Sequence, residues 1–286
     1  MHELTVITAT YNVVKAGRAE MLERCVRSVA ALKTPHEHLI MDGASTDGTL
    51  DILKRLEREC EDVRVVSEPD AGLYDALNKG VRAAKGKWIY VLGCDDYIFA
   101  PAVMDDVVKE ADTTDADMVI SQVRRSDGVQ AFKSVDDFRC CLTVMPYSHQ
   151  ATLMSKDLML RLNGFDERFR ISGDFDICLR AHMMNAKEHI IWKQYANFEA
   201  GGMSLFSEKV HDDMVAVTSS VLGLTADEKS RFRKKRLLPL RVLLRLLFHR
   251  NWIVRKAALH AIKRRVANIC GMLDGDGQPK GVFKRM

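Results

Sequence analysis

Short apolar runs alternate with amphipathic stretches of helical length through the first hundred residues, and this alternation restricts the fold more than any other feature. The pattern predicts strands at 4–8, 37–41, 63–66 and 87–92, with helices at 19–32, 50–56 and 72–84 between them. Strands separated by helices of this length are typical of βαβ units. The sequence therefore predicts an α/β fold with a mostly parallel, Rossmann-like sheet flanked by helices.

The middle third of the chain is less regular. Strands are predicted at 118–121, 130–133, 190–192 and 195–198, and helices at 155–162 and 174–184. With 286 residues and 47% hydrophobic residues, the chain can bury a substantial core.

Cysteine usage and apolar run length bear on the compartment. The seven cysteines are scattered without a C-x-x-C pair, which predicts reduced thiols in a reducing compartment. The first strand begins near the N-terminus without a basic-then-apolar leader, so no secretory signal is expected. No apolar run reaches the roughly 18 residues that a membrane-spanning helix needs. A cytoplasmic location is therefore predicted.

Charge divides the chain into two unlike parts. Residues 229–286 hold 17 Lys and Arg against two Asp, a formal charge of +15, whereas residues 1–228 carry −11. An acidic body and a basic tail suit different partners, a metal ion for the first and an anionic surface for the second.

Polar residues follow three of the four early strands. They are the Thr8–Asn12 segment, Asp42, and the pair Asp95–Asp96. In open α/β sheets, ligands bind outside the carboxyl ends of the strands, so these residues are expected to gather at one edge.

The adjacent carboxylates of Asp95 and Asp96 suit a hard cation. They repel each other unless a cation neutralises them, and a turn offering oxygen ligands suits Mg²⁺ or Mn²⁺ together with diphosphate oxygens. A solvated turn is the alternative, because aspartate is common in turns.

Two further segments have both a functional and a plain structural interpretation. In the segment 42–49, Asp42 can accept a hydrogen bond from a base or ribose, whereas Ser45, Thr46 or Asp47 can cap the next helix. In the segment 68–80, a turn leads into a helix whose N-terminus can face a phosphate, and the alternative is an exposed amphipathic helix, which suits Lys79 and Arg82.

These segments, in this order, resemble the family 2 inverting glycosyltransferases with the GT-A fold, over residues 4 to about 206. The resemblance implies a nucleotide-binding set, which is Thr8, Ala9, Thr10, Tyr11, Asn12, Asp42, Asp70 and Asp95. It also implies a metal held by Asp96 and Asp95, with Asp96 in the most direct contact.

The family's catalytic base lies in a motif that commonly reads Glu-Asp-x-Asp-Leu. Here the matching stretch begins Ser172-Gly-Asp-Phe-Asp, so Asp174 matches the base and Gly173 replaces the preceding Glu. Two shorter segments resemble the branch that builds cell-surface polysaccharides. They place His149 and Gln150, and Gly202 and Ser204, near the acceptor or the donor sugar; His149 is equally consistent with a hydrogen-bonded structural histidine.

The resemblance implies a sugar transfer in a single displacement with inversion. The donor is a nucleotide-diphosphate sugar, taken as UDP-linked, and the acceptor is a hydroxyl of a glycan or a lipid-linked molecule. Asp174 acts as the base, and Mn²⁺ or Mg²⁺ is the cofactor. Residues 1–228 then form the GT-A glycosyltransferase domain, and residues 229–286 form a basic amphipathic helical tail for a membrane or a protein partner.

The tail pattern fits a pair of helices in a lipid interface. Between Lys229 and Leu273 there is no Asp or Glu, and the apolar surface is predicted to consist of Leu243, Leu244, Leu247, Phe248, Trp252 and Ile253. An anionic membrane bound through 231–265 places the protein on the cytosolic face of the inner membrane. Packing on the body or on a second subunit is the alternative, which leaves a homo-oligomer open. Nucleic acid is not expected, because leucines interrupt the basic run.

Other functions fit the sequence less well. A nucleotidyltransferase or a Rossmann dehydrogenase needs a glycine-rich loop after the first strand, where this chain reads Ala9-Thr-Tyr-Asn-Val-Val14. A non-catalytic nucleotide-sugar-binding or scaffold protein is the alternative from another class, and only an assay separates it from an enzyme.

Overall fold

The computed structural model describes residues 2–126, 140–145, 147–199 and 208–269. In this part of the chain, eight strands form one sheet in the order β3-β2-β1-β4-β7-β6-β8-β5. The strands are β1 (Leu4–Thr10), β2 (His36–Asp42), β3 (Val63–Ser67), β4 (Trp88–Val91), β5 (Tyr97–Ile98), β6 (Met118–Arg125), β7 (Thr152–Ser155) and β8 (Glu188–Phe198).

Helices connect the strands and cover both faces of the sheet. They are α1 (Ala19–Ala30), α2 (Thr49–Glu59), α3 (Leu73–Ala83), α4 (Pro101–Asp112), α5 (Lys156–Arg161), α6 (Gly173–Met183), α7 (Glu208–Leu222), α8 (Ala226–Lys235), α9 (Leu240–Leu246) and α10 (Trp252–Ile269). A short 3-10 turn at His149–Ala151 precedes β7.

The first four strands form the predicted nucleotide-binding half. β1 pairs in parallel with β2 on one side and with β4 on the other, and β2 pairs in parallel with β3. The register sets Thr10 opposite Asp42 and Asp42 opposite Ser67. The polar strand ends therefore lie side by side, as the sequence predicts for a parallel sheet.

The second half of the sheet mixes directions. β7 runs antiparallel to β4 and β6, β8 runs parallel to β6, and β5 pairs antiparallel with β8. The two strands predicted at 190–192 and 195–198 are one strand, β8. A register irregularity near Gln122 keeps Gln194 in the ladder, which explains why the polar Lys193-Gln194 pair does not end the strand. The strand predicted at 130–133 lies outside the described residues.

Apolar side chains fill both sides of the sheet. One core lies between the sheet and α3, α5 and α6, and a second lies under α1 and α4 around Trp88 and Tyr90, which are fully buried. Helix α3 approaches β1 closely at Gly80, where a Cβ atom would lie 2.7 Å from Cγ2 of Ile7. This close packing fixes α3, the helix that lies beside the site described below.

The tail helices pack on the body of the chain. Val242, Leu243 and Leu246 of α9 and Ile253 and Val254 of α10 are almost completely buried, in the same core as α6. The prediction that Leu243 and Ile253 belong to an exposed apolar surface is therefore wrong, because these two side chains face α6 and its neighbours. The division proposed at residue 228 lies inside α8, and it stays a prediction about partners.

The six cysteines of the described residues are free thiols, three of them buried, and the reducing compartment stays a prediction. Among the helices of the described residues, none combines the length and the apolar content that crossing a bilayer requires.

Candidate active site

The Asp42 carboxylate joins the ends of three strands. Its Oδ1 accepts hydrogen bonds from the hydroxyls of Thr10 at 3.2 Å and Ser45 at 2.6 Å. Its Oδ2 accepts from the Ser45 N–H at 3.0 Å and from the Ser67 hydroxyl at 2.7 Å. Asp42 is only 2% exposed. The carboxylate therefore sets the shape of the strand ends, and a nucleotide reaches it only if one of these donors moves.

The loop after β1 is tied to the loop after β2. Asn12 adopts a left-handed φ of 48°, its N–H donates to the Ser45 hydroxyl at 2.8 Å, and its side-chain oxygen accepts from the Thr46 N–H at 3.0 Å. The hydroxyl of Thr8 is fully buried and donates to the carbonyl of Leu92 at 2.9 Å. The Thr8 side chain thus faces the core and braces β1 against β4, which differs from its predicted place beside the donor.

Helix α2 begins differently from the predicted capping pattern. Its N-cap is Gly48, with φ of 93°, and no side chain caps the helix. Ser45 and Thr46 are engaged with Asn12. Asp47, the residue before the N-cap, accepts from the N–H of Thr49 at 3.1 Å.

Asp70 and Tyr11 meet at Gly43. A Cβ atom on Gly43 would lie 2.5 Å from Oδ2 of Asp70 and 3.2 Å from Cδ2 of Tyr11, so the absence of a side chain at Gly43 lets both residues approach the backbone there. The Tyr11 side chain is 67% exposed and offers a free ring face. These residues therefore form an open platform of one aromatic ring and one carboxylate beside Asp42.

The turn before α3 satisfies its own backbone groups. Asp70 accepts from the N–H of Gly72 at 2.9 Å, and Asp75 accepts from the N–H of Ala71 at 2.9 Å. Both carboxylates thus hold the backbone just before the helix, at Ala71 and Gly72, and the interpretation that the helix N-terminus faces a phosphate stays a prediction.

Asp96 is the buried member of the aspartate pair, with 2% exposed surface. Its Oδ2 accepts from Nε2 of Gln150 at 3.0 Å and its Oδ1 accepts from the N–H of Glu199 at 2.8 Å. Burial raises the pKa of Asp96 to about 6, and the charge of Asp95 adds to this effect while the two hydrogen bonds oppose it. The site thus holds a carboxylate whose negative charge is costly without a cation.

Asp95 lies closer to solvent and is held by two arginines. Its Oδ2 lies 3.0 Å from Nη1 of Arg18, and its backbone carbonyl accepts from Arg24 at 3.2 Å. Arg18 is therefore a positive group beside the aspartate pair, and no sequence motif indicated it.

The aspartate pair fits a divalent cation of the predicted kind. A Cβ atom on Gly93 would lie 2.6 Å from Oδ2 of Asp96 and 3.0 Å from Oδ1 of Asp95, so one oxygen of each carboxylate faces the same small volume. Across the described ranges, no group of three His, Cys, Asp or Glu side chains could hold a metal. Two protein oxygens suit Mg²⁺ or Mn²⁺, which keep waters and take phosphate oxygens as further ligands.

Asp174 lies in the first turn of α6 and contacts His149. Its Oδ2 is 3.1 Å from Nδ1 of His149, and its Oδ1 accepts from the N–H of Phe175 at 2.8 Å. Burial alone lowers the pKa of His149, but the hydrogen bond to Asp174 and the charges of Asp174, Asp96 and Asp95 outweigh it and raise the pKa above its ordinary value. The imidazole and the carboxylate therefore form a coupled pair.

One cavity of about 310 Å³ brings both acidic groups together. The predicted residues on its wall are Ala9, Asp95, Asp96, His149, Gln150 and Asp174. Its deeper wall is apolar and includes Ile89, Met154, Phe165 and Ile177. Asp174 is thus on the same side of the sheet as the aspartate pair, which is the arrangement that the sequence argument requires.

Other predicted residues lie elsewhere. Thr10, Tyr11, Asn12, Asp42 and Asp70 form the neighbouring strand-end platform, and Gly202 and Ser204 lie outside the described residues. The cavity wall also carries residues that the sequence argument did not place in a site, among them Arg18, Tyr74, Arg170 and Glu199.

Comparison with known proteins identifies the family of the chain. Residues 5–214 match the family model described as "Glycosyl transferase family 2". A PGL/p-HBAD biosynthesis glycosyltransferase of Mycobacterium bovis is 27% identical over 207 residues, which cover 70% of this chain and 78% of the relative. The putative teichuronic acid biosynthesis glycosyltransferase TuaG of Bacillus subtilis is 38% identical over 95 residues, covering 32% of this chain and 36% of TuaG.

Solved structures share the fold. S. aureus TarS 1–349 in complex with UDP-GlcNAc superposes with a TM-score of 0.64 at 17% identity, covering 96% of this chain and 95% of the other. A mannosyltransferase of Pyrobaculum calidifontis in complex with GDP-Man and Mn²⁺ superposes with a TM-score of 0.55 at 17% identity, covering 93% and 87%. At these identities the likeness is one of fold, and it matches the GT-A expectation.

Proposed function

The chain belongs to glycosyltransferase family 2 and is an enzyme of that class, and from this premise we propose that it moves a sugar from a UDP-linked donor to a hydroxyl of a glycan or lipid-linked acceptor. We place this reaction in the synthesis of a cell-surface polysaccharide. The observation that carries the proposal is the single cavity shared by Asp95, Asp96 and Asp174. The named products of the two curated relatives support the glycan or glycolipid acceptor.

The nucleoside end of the donor fits the strand-end platform. The exposed ring of Tyr11 can stack on a base, and the Asp70 carboxylate beside Gly43 can accept hydrogen bonds from a base or ribose. The diphosphate then extends along the strand ends toward Asp95, where the Arg18 guanidinium supplies a positive charge. We assign Arg18 to the phosphates. Its partner Asp95 would bind the metal ion, which would release the Arg18 guanidinium to contact the phosphates.

Charge on the leaving group is the main obstacle to sugar transfer. When bound, Mn²⁺ or Mg²⁺ held by Asp96 and Asp95 supplies positive charge beside the diphosphate that leaves. The raised pKa of Asp96 agrees with this role, since burial and the neighbouring charge of Asp95 disfavour its negative charge more than its hydrogen bonds stabilise it.

Asp174 carries the proton transfer. The acceptor oxygen attacks the anomeric carbon, the bond from that carbon to the phosphate oxygen breaks, and the hydroxyl proton moves to the Asp174 carboxylate. A single base on the face opposite the leaving group produces inversion. His149 orients this carboxylate through its bond to Oδ2, and Gln150 holds Asp96.

A donor panel tests the function directly. With Mn²⁺ present, the purified chain is expected to release nucleoside diphosphate from UDP-sugars faster than from GDP- or dTDP-sugars, both with and without added acceptor. The Asp174→Asn variant is the negative control, and its release of nucleoside diphosphate should be far slower than that of the wild type. The alternative of a non-catalytic binding or scaffold protein is retained only if donors bind by calorimetry while none is ever consumed.

The tail presents a second surface that the body does not cover. Leu240 and Leu244 on α9, and Phe248 in the turn that follows this helix, are spaced four residues apart and are 44%, 48% and 89% exposed. Trp252, Leu259 and Val266 continue the pattern on α10, interleaved with the exposed cations Arg255 and Lys263. Apolar side chains mixed with cations, and without any acidic residue, suit an anionic lipid surface.

Some tail arginines serve the fold. Arg233 pairs with Asp212, and Arg241 pairs with Glu228, which fixes α8 and α9 on the body. The membrane face is therefore carried by the outward residues of α9 and α10. We propose that this face holds the enzyme on the cytosolic side of a membrane, near a lipid-linked acceptor; a homo-oligomer stays a prediction.

Removing two outward apolar side chains is expected to release the protein from lipid. The double variant Leu244→Gln/Phe248→Gln should float at least about tenfold less with vesicles of phosphatidylcholine and phosphatidylglycerol, since each residue contributes about 1.5–3 kcal/mol when buried in an apolar phase. Leu160→Gln is the matched control, because Leu160 is 52% exposed on α5. Equal flotation of all three proteins, or no flotation of the wild type, would assign this face to a protein partner instead.

A further inference from the structure

The start of α6, which carries Asp174, is fastened to α3 by one tyrosine. The Tyr74 hydroxyl accepts from the N–H of Gly173 at 3.0 Å and from the N–H of Asp174 at 3.4 Å, and it donates to the carbonyl of Ile171 at 2.9 Å. The first N–H groups of a helix have no partner inside the helix. One phenol therefore satisfies two of them and also fixes the residue before the turn.

The tyrosine itself has little freedom. Tyr74 is 6% exposed, and its ring stacks on Phe165 with ring centroids 5.3 Å apart. It is carried by α3, the helix that packs on β1 through Gly80. From the other side, Oδ2 of Asp213 accepts from the N–H groups of Ile171 at 3.1 Å and Ser172 at 2.8 Å. The backbone next to Asp174 is thus held from two directions.

Gly173 is required by the same contact. A Cβ atom at this position would lie 2.7 Å from Cε2 and Cζ of Tyr74 and 2.9 Å from Cε1. Cβ atoms do not approach rings so closely, and neither the stacked ring nor the helix start can shift freely. The glycine that stands where the family motif has Glu is therefore matched to the tyrosine on α3.

We propose that Tyr74 is the positioning residue for Asp174 and that Tyr74 and Gly173 form an interlocked pair, an inference that rests on the proposed role of Asp174 as base. The hydroxyl sets where the Asp174 backbone lies, and the missing side chain at 173 allows the ring to reach it. The pair thereby fixes the distance from the carboxylate to the reacting hydroxyl. A change of about 1 Å in such a distance can lower the rate about 10²-fold.

Removing the hydroxyl alone tests the positioning role. Tyr74→Phe is expected to lower kcat at least tenfold while the KM of the donor stays within twofold, because the donor platform does not involve Tyr74. Tyr195→Phe is the matched control, since Tyr195 is a fully buried tyrosine of the sheet core. It should keep kcat. A Tyr74→Phe enzyme with kcat within twofold of wild type overturns the proposal.

The interlock predicts that the two positions do not act independently. Gly173→Ala should lower kcat strongly in the wild-type background but add nothing in a Tyr74→Ala background, where the colliding ring is gone. Melting temperatures of all four proteins show whether each still folds. Losses that simply multiply in the double variant contradict the interlock.

A third measurement needs no turnover. In protein free of metal and donor, an NMR titration of the His149 ring reports its contact with Asp174, with Asp95 and Asp96 as the other charged groups facing it. His149→Gln assigns the resonance. In Tyr74→Phe the pKa of His149 should fall toward its ordinary 6.5; an unchanged value overturns the positioning role. Inactivity on every donor would contradict the proposed function, whereas the titration would still test whether Tyr74 positions Asp174.

Discussion

Replacement of Asp174 by asparagine is expected to reduce turnover by about 10²- to 10⁴-fold, the range that a general base usually contributes. The amide keeps the size of the side chain and can still bond His149, whereas it cannot accept the acceptor's proton. Donor affinity should stay within about twofold, because the nucleotide platform lies at the ends of β1 to β3. The measurement is steady-state transfer combined with calorimetric titration of UDP.

Asp176→Asn is the control for this experiment. Asp176 lies two residues later on α6, is 1% exposed, and pairs with Arg180 on the side away from the cavity. A neighbouring carboxylate that matters only for packing should affect melting temperature more than kcat. Activity of the Asp174 variant within a few fold of wild type removes this residue from the role of base.

Replacement of Asp96 by alanine or asparagine is the second change with a large expected effect. Loss of one of two cation-facing oxygens should weaken metal-dependent donor binding and lower turnover by at least about 100-fold, as expected when charge stabilisation worth several kcal/mol is lost. The measurement is activity and UDP binding over a Mn²⁺ titration. A variant with a wild-type Mn²⁺ profile would remove Asp96 from the metal site.

Stability separates this effect from misfolding. Because the pKa of Asp96 is raised from 3.8 to about 6, the cost of its charged form to the folded state builds up between these two pH values and is fully present above about pH 6. The neutral asparagine removes that cost and can still accept the bond from Glu199. The expected result is a protein that melts, without metal, at the same temperature as wild type or higher, and that has nevertheless lost its activity.

The parallel half of the fold was predictable because its signals are local. β1 and β4 are rich in apolar residues, β2 is apolar from Leu39 to Met41, and polar residues follow the end of each run. Parallel pairing then places these ends at one edge by geometry alone. The prediction of two strands in place of β8 failed for the opposite reason. The pairing of Gln194 with Gln122 and the register irregularity between β6 and β8 keep the strand continuous, and neither is visible in the local sequence.

The acidic groups of the site were predictable from motif resemblance, but their partners were not. Arg18 lies 77 residues from its partner Asp95 in the sequence, and Glu199 lies 103 residues from its partner Asp96. The role of Tyr74 depends equally on a contact across 99 residues. The exposure of the tail side chains also required the structure, because only packing on α6 shows that Leu243 and Ile253 face inward.

The seating of the tail on α6 has a mechanical consequence. His249 donates to the carbonyl of Met183 at 3.0 Å, at the end of α6, and Asn251 donates to Glu188 at 2.6 Å. Asp174 lies in the first turn of the same helix. Helix α6 therefore connects the reactive carboxylate to α9 and α10, whose outer surface is exposed. If that surface rests on a bilayer, the distance from the membrane to Asp174 is fixed. Only sugar hydroxyls at one height above the lipid headgroups then reach the carboxylate.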